Sequence, residues 1–158
     1  MNAPPVASAR VYGAQVHSLT LRYMAVKGAM YAAIGLSWVI QPSPGRLAGL
    51  QWLEFVRPEM IGGMLIFAGM LAMITSLIPR HPIWRQAGWT GLIAAPMLIG
   101  FYFFVAWVLH FVPDAEGGTG RSIATTLSYA AFAASAYIMA RVYTVTLPTL
   151  ATKPAKGT

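Results

Sequence analysis

The stretch Met60–Ile78 reads MIGGMLIFAGMLAMITSLI, nineteen residues without a charge. A hydrocarbon core about 30 Å thick asks roughly 17–25 apolar residues of a helix that crosses it, and this run supplies them. Outward from it, three more apolar stretches appear: Tyr23–Ile40 before, then Gly88–Val112 and Ile123–Tyr143 after. Together they fill more than half of the 158 residues. The chain is read as an all-α membrane protein, a bundle of four transmembrane helices.

Composition narrows the chemistry. The chain is 57% apolar and 9% charged, with mean hydropathy +0.60, against about 25% charge in soluble domains. Its acids are Glu54, Glu59, Asp114 and Glu116, and it has no cysteine, which excludes disulfides, thiolate metal sites and cysteine nucleophiles. His17, His81 and His110 fall in different segments without a second ligand at helical spacing, so no metal site and no cofactor are expected.

The net charge of +7 matters through its distribution. Arg10, Arg22, Lys27, Arg80, Arg85, Arg141, Lys153 and Lys156 flank one side, while Arg46, Arg57 and Arg121 share the other with all four carboxylates. The positive-inside rule then places both termini and the 79–87 connection in the cytoplasm. Trp84, Trp89 and Tyr143 at one boundary and Trp38, Trp52 and Trp107 at the other read as interfacial belts. The basic excess is thus an orientation signal that meets anionic lipid, and nucleic acid is not an expected partner. The first apolar stretch follows about twenty mixed residues and lacks a cleavage site at its end, so it is expected to remain as span one.

Residues 1–9 read as a disordered tip, 10–147 as a single membrane domain, and 148–158 as a disordered basic tail. A helical pattern begins at Arg10, and Lys27 is placed one turn inside the boundary, near enough to snorkel to the headgroups. Residues 46–58 carry Leu50, Leu53 and Val56 on one face and Gln51, Glu54 and Arg57 on the other, the pattern of a short amphipathic interfacial helix. Pro58 and Glu59 suit the first turn of span two. Gly62, Gly69, Ala72 and Ser76 form a small-residue stripe on that span, and Ala136 and Ala140 belong to a smooth fourth span. Spans two and four are therefore expected inside the bundle. Span three, kinked at Pro96 and rich in aromatics, should fill gaps and touch lipid.

Glu59 and His110 are candidates for a proton or quinone site at the loop end of the bundle, because both fall at similar depth. Glu59 has a simpler role as partner of the helix dipole or of Arg57. The segment Ala115-Glu116-Gly117-Gly118-Thr119-Gly120-Arg121-Ser122 only superficially echoes a phosphate-binding loop, having Ala115 and Arg121 where glycine and lysine are required. Methionine and aromatic stripes and the hydroxyls of Thr125, Thr126 and Ser128 read as packing and backbone bonding. With no charge expected in the middle of any span, a transporter or channel is disfavoured.

Pro58-Glu59-Met60-Ile61-Gly62-Gly63…Gly69 resembles the Glu-x-x-Gly-Gly…Gly signature of DoxX-like four-helix membrane proteins. That resemblance implies a small bundle, in some cases a subunit of quinone-linked redox enzymes, and carries over Glu59 and the three glycines. Trp84…Trp89-Thr90-Gly91 and the Tyr/Arg-rich ends look like the small four-span proteins of actinobacteria and their phages, some implicated in lysis or exclusion. The expected function is that of a non-enzymatic bacterial inner-membrane protein acting by helix packing with itself or a partner. A phage-type accessory or holin-like role comes first, and a DoxX-like quinone-linked subunit is the alternative.

Overall fold

The computed structural model describes residues 6–41, 44, 50, 56–78, 82–112 and 122–146. Four helices carry it: α1 Val6–Ile40, α2 Pro58–Leu77, α3 Pro82–Leu109 and α4 Ser122–Arg141, the last continued by a π-helical turn Val142–Thr146. All four are long and apolar enough to cross a membrane, over His17–Ile40, Pro58–Leu77, Ile83–Leu109 and Ser122–Thr144. The chain is a multi-pass membrane protein built as an all-α four-helix bundle. One end holds the start of α1 and the end of α4 (the terminal end). The other holds the connections 41–57 and 110–121 (the loop end).

Helix ends follow local chemistry. Pro58 opens α2 behind an extended Arg57, with Glu59 in the first turn, where a missing N–H is no loss and a carboxylate meets the positive end of the dipole. α3 starts at Pro82, six residues before the expected Gly88. Arg85 and Gln86 dilute hydropathy there without opposing helix geometry. α1 is helical from Val6, earlier than the pattern beginning at Arg10. The proposed amphipathic helix at 46–58 and the loop echo at 115–121 lie largely outside the described residues.

The most extensive contact joins α1 to α2, followed by α3 with α4 and α2 with α3. α2 and α4 both contribute to one buried core, through Leu65, Ala68 and Ala72 and through Tyr129 and Ala136, yet the glycines of the α2 stripe are not turned toward α4. Instead Gly28 and Gly35 of α1 face Gly69 and Gly62 of α2. A methyl group on Gly28 would stand 2.6 Å from the Gly69 carbonyl oxygen, and one on Gly35 would stand 2.5 Å from that of Gly62 and 2.9 Å from the Ile66 nitrogen. A methyl on Gly62 would in turn lie 2.6 Å from the Gly35 oxygen. Each pair is seven residues apart in its own helix, so two antiparallel helices meet glycine to glycine, Cα beside carbonyl, at two successive levels.

The expected packing residues Gly62, Gly69, Ala72, Ser76 and Ala136 are buried, and Ala140 is half-buried. The small stripe on α2 was legible; its partner on α1 was not. Span four departs further from expectation, with 17% of its most apolar stretch buried against 44% for span two. Trp38 and Trp89 are also corrected. They are 1% and 6% exposed, core residues rather than members of interfacial belts.

Candidate functional site

Pro96 interrupts α3 in mid-span. It has no N–H, so the carbonyl of Leu92, four residues earlier, loses its helical donor. In hydrocarbon no water replaces it. The Tyr31 hydroxyl of α1 donates to that oxygen at 3.0 Å, and Tyr31 is fully buried. An internal proline on one helix and a tyrosine on another thus form one unit. The Tyr31 ring also packs against Phe132 of α4, centroid to centroid 6.2 Å.

Lys27 stands one helical turn before Tyr31. Its Nζ lies 4.8 Å from the centre of the Phe132 ring and 6.0 Å from that of Tyr31. The expected boundary position does not hold. Gly28 faces Gly69, which precedes the end of α2 at Leu77 by eight residues, or about 12 Å of helix. Lys27 is therefore well along the span and half-buried, and the premise that every span is uncharged in its middle fails. Glu59, the one acid among the described residues, is ten residues from Gly69, about 15 Å along α2. A lysine at this depth is held by aromatic faces, which attract a cation by their quadrupole.

At the terminal end, His17 of α1 lies 5.7 Å from the Tyr143 ring, and the Arg85 guanidinium of α3 stands 4.5 Å from the centre of that same ring. Between this mouth and Lys27, Tyr23 and Trp89 stack at 6.2 Å with planes 20° apart. The Tyr23 hydroxyl and the Trp89 Nε1 are buried and have no hydrogen-bond partner. Two orphaned polar atoms side by side are costly in an apolar interior. The hydroxyls of Thr75 and Ser76, by contrast, bond back to their own helix, at 2.8 Å to Leu71 O and 2.7 Å to Met73 O.

The loop end is held by two further tyrosines. Trp38 Nε1 donates to the Tyr129 hydroxyl at 3.1 Å, joining α1 to α4, and Tyr102 donates to the Leu50 carbonyl at 3.0 Å. Glu59 and His110 are both exposed here. Among the described residues Glu59 forms no ion pair with Arg57, and the His110 ring sits edge-on to its neighbour Phe111 at 5.3 Å. No contact brings the two candidates together. An apolar groove of about 210 Å³ between α2 and α3 is lined by Met60, Met64, Leu98, Ile99 and Tyr102. Thr126 and Ser128 bond to carbonyls of their own helix.

Among the described residues no three His, Asp or Glu side chains gather in a metal-holding group. The chemistry the site offers is donation, from the Lys27 ammonium, the Tyr23 phenol and the Trp89 indole N–H, between the terminal end and mid-span. Sequence reasoning gave neither Tyr31 nor Tyr23 a role as a donor. The usable signal was the spacing of Pro96 from Leu92, which demands a donor without saying which helix brings it. Compared with protein-family models, curated proteins and solved structures, the chain matches none.

Proposed function

We propose that this protein is a non-enzymatic component of a bacterial cytoplasmic membrane that acts by lateral association with copies of itself, in the manner of a phage-type accessory or holin-like protein. The outward face of α4 carries the reading. Ala124, Ser128 and Ala131 are exposed and Ser135 half-exposed, and they recur four, three and four residues apart. Ser128 and Ser135 turn their hydroxyls back onto Ala124 O at 2.9 Å and Phe132 O at 2.8 Å, which leaves a smooth surface. This seven-residue spacing of small side chains matches that by which α1 and α2 approach each other. Small-residue faces drive helix association where lipid removes the hydrophobic advantage of burial.

Photobleaching of single labelled proteins in liposomes should show several steps for the wild type. Ala131→Leu should show one, with association weakened at least about tenfold, or 1.4 kcal/mol. Induced expression should depolarise the host membrane for the wild type and not for Ala131→Leu. Single-step wild type at all protein-to-lipid ratios would remove the proposal.

The charge distribution supports an orientation with both termini in the cytoplasm. Reporter fusions at Thr158 and Gly118 are expected on opposite sides of the membrane, the first cytoplasmic. Because Trp38 and Trp89 lie in the core, they add nothing to this orientation.

A further inference from the structure

We propose that the terminal half of the bundle, between α1, α3 and α4, binds the headgroup of an anionic lipid, with Lys27, Tyr23 and Trp89 as donors to its acidic oxygens. Tyr23 and Lys27 are four residues apart on α1 and share a face. Trp89 stacks on the Tyr23 ring, and Lys27 stands one helical turn further along α1 than Tyr23. The Tyr23 hydroxyl and Trp89 Nε1 are buried without partners, and Trp89 is 6% exposed.

A charged ammonium inside a membrane calls for a counter-charge. Among the described residues none is near, since Glu59 is at the opposite end. A neutral ligand such as a quinone would satisfy the two donors and leave the charge uncompensated; an oxyanion satisfies all three. The route in is also suited to an anion. His17 and Arg85 flank Tyr143 at the terminal end.

The test is thermal unfolding of the purified full-length protein in detergent with added dioleoyl-phosphatidylglycerol, dioleoyl-phosphatidylcholine or inorganic phosphate. Saturating phosphatidylglycerol should raise the wild-type melting midpoint about 5 °C above equal phosphatidylcholine. The excess should vanish in Lys27→Met, persist in Lys27→Arg and fall in Tyr23→Phe, which keeps the ring and so preserves the test where Lys27→Met fails to fold. Equal stabilisation by both lipids, or an undiminished excess in both Lys27→Met and Tyr23→Phe, overturns the site. The same rise with inorganic phosphate alone overturns the lipid assignment in favour of a free anion.

Discussion

Replacing Gly69 or Gly35 by alanine is expected to cost several kcal/mol of stability, while the same change at Gly63 costs nothing. The three glycines lie in membrane-spanning helices and lose the same conformational freedom on substitution. They differ in what a methyl group meets. At Gly69 it meets the Gly28 carbonyl oxygen and, at 2.8 Å, the Ala32 nitrogen. At Gly35 it meets the Gly62 oxygen at 2.5 Å, the Ile66 Cγ1 at 2.8 Å and the Ile66 nitrogen at 2.9 Å. Most of these neighbours are backbone, which cannot rotate aside as a side chain can. The helices must separate, and the contacts between the two glycine levels separate with them. Overpacking of a core commonly costs about 1–3 kcal/mol, and a shift of a whole interface lies at or above the upper end. At Gly63 nothing stands within 4 Å, so alanine there should be neutral or gain up to about 1 kcal/mol of helix propensity. Unfolding in mixed detergent micelles, followed by far-UV dichroism, reads all three. Equal stability of Gly69→Ala and Gly63→Ala would show that α1 and α2 do not meet at glycine.

The α1–α2 contact also marks where sequence reasoning succeeds and stops. Span count, the helix start at Pro58–Glu59 and the buried faces of Gly62, Gly69, Ala72, Ser76 and Ala136 follow from hydropathy, capping chemistry and side-chain size, which are local properties. Which helix receives a small face is not local. Gly28 and Gly35 stand in a span whose other residues include Tyr23, Lys27, Tyr31 and Trp38, and that polar and aromatic company hid a glycine stripe with the spacing of the one on α2. The same company misplaced Lys27. A hydropathy window puts the start of span one after the charged residues, whereas pairing with Gly69 puts Lys27 well inside. Trp38 shows a related limit: a tryptophan near a span end suits an interface, but a hydroxyl from another helix lets it go into the core instead. For the candidate site, Glu59 and His110 were visible as polar residues in an apolar chain. The donors near Lys27 became a group only once α1 and α3 were side by side.

A double-mutant cycle on Tyr31 and Pro96 should give the clearest energetic signature in the molecule. Tyr31→Phe keeps the ring and its contact with Phe132 and removes only the hydroxyl that donates to Leu92 O at 3.0 Å. The carbonyl is then left without a donor, because Pro96 cannot supply one and the interior holds no bulk water to replace it. The expected loss is about 1–2 kcal/mol, within the range for an orphaned buried acceptor. Pro96→Ala restores a backbone N–H four residues after Leu92, so α3 can satisfy that carbonyl by itself. In the Pro96→Ala background Tyr31→Phe should therefore cost close to zero, giving a coupling of about 1 kcal/mol or more between residues on different helices. Any other effect of the proline on α3 appears equally in both Pro96→Ala proteins and cancels from the cycle. Additive effects would mean that the Tyr31 hydroxyl and the proline gap are energetically independent. Strong coupling would establish that α1 supplies the hydrogen bond that α3 lacks.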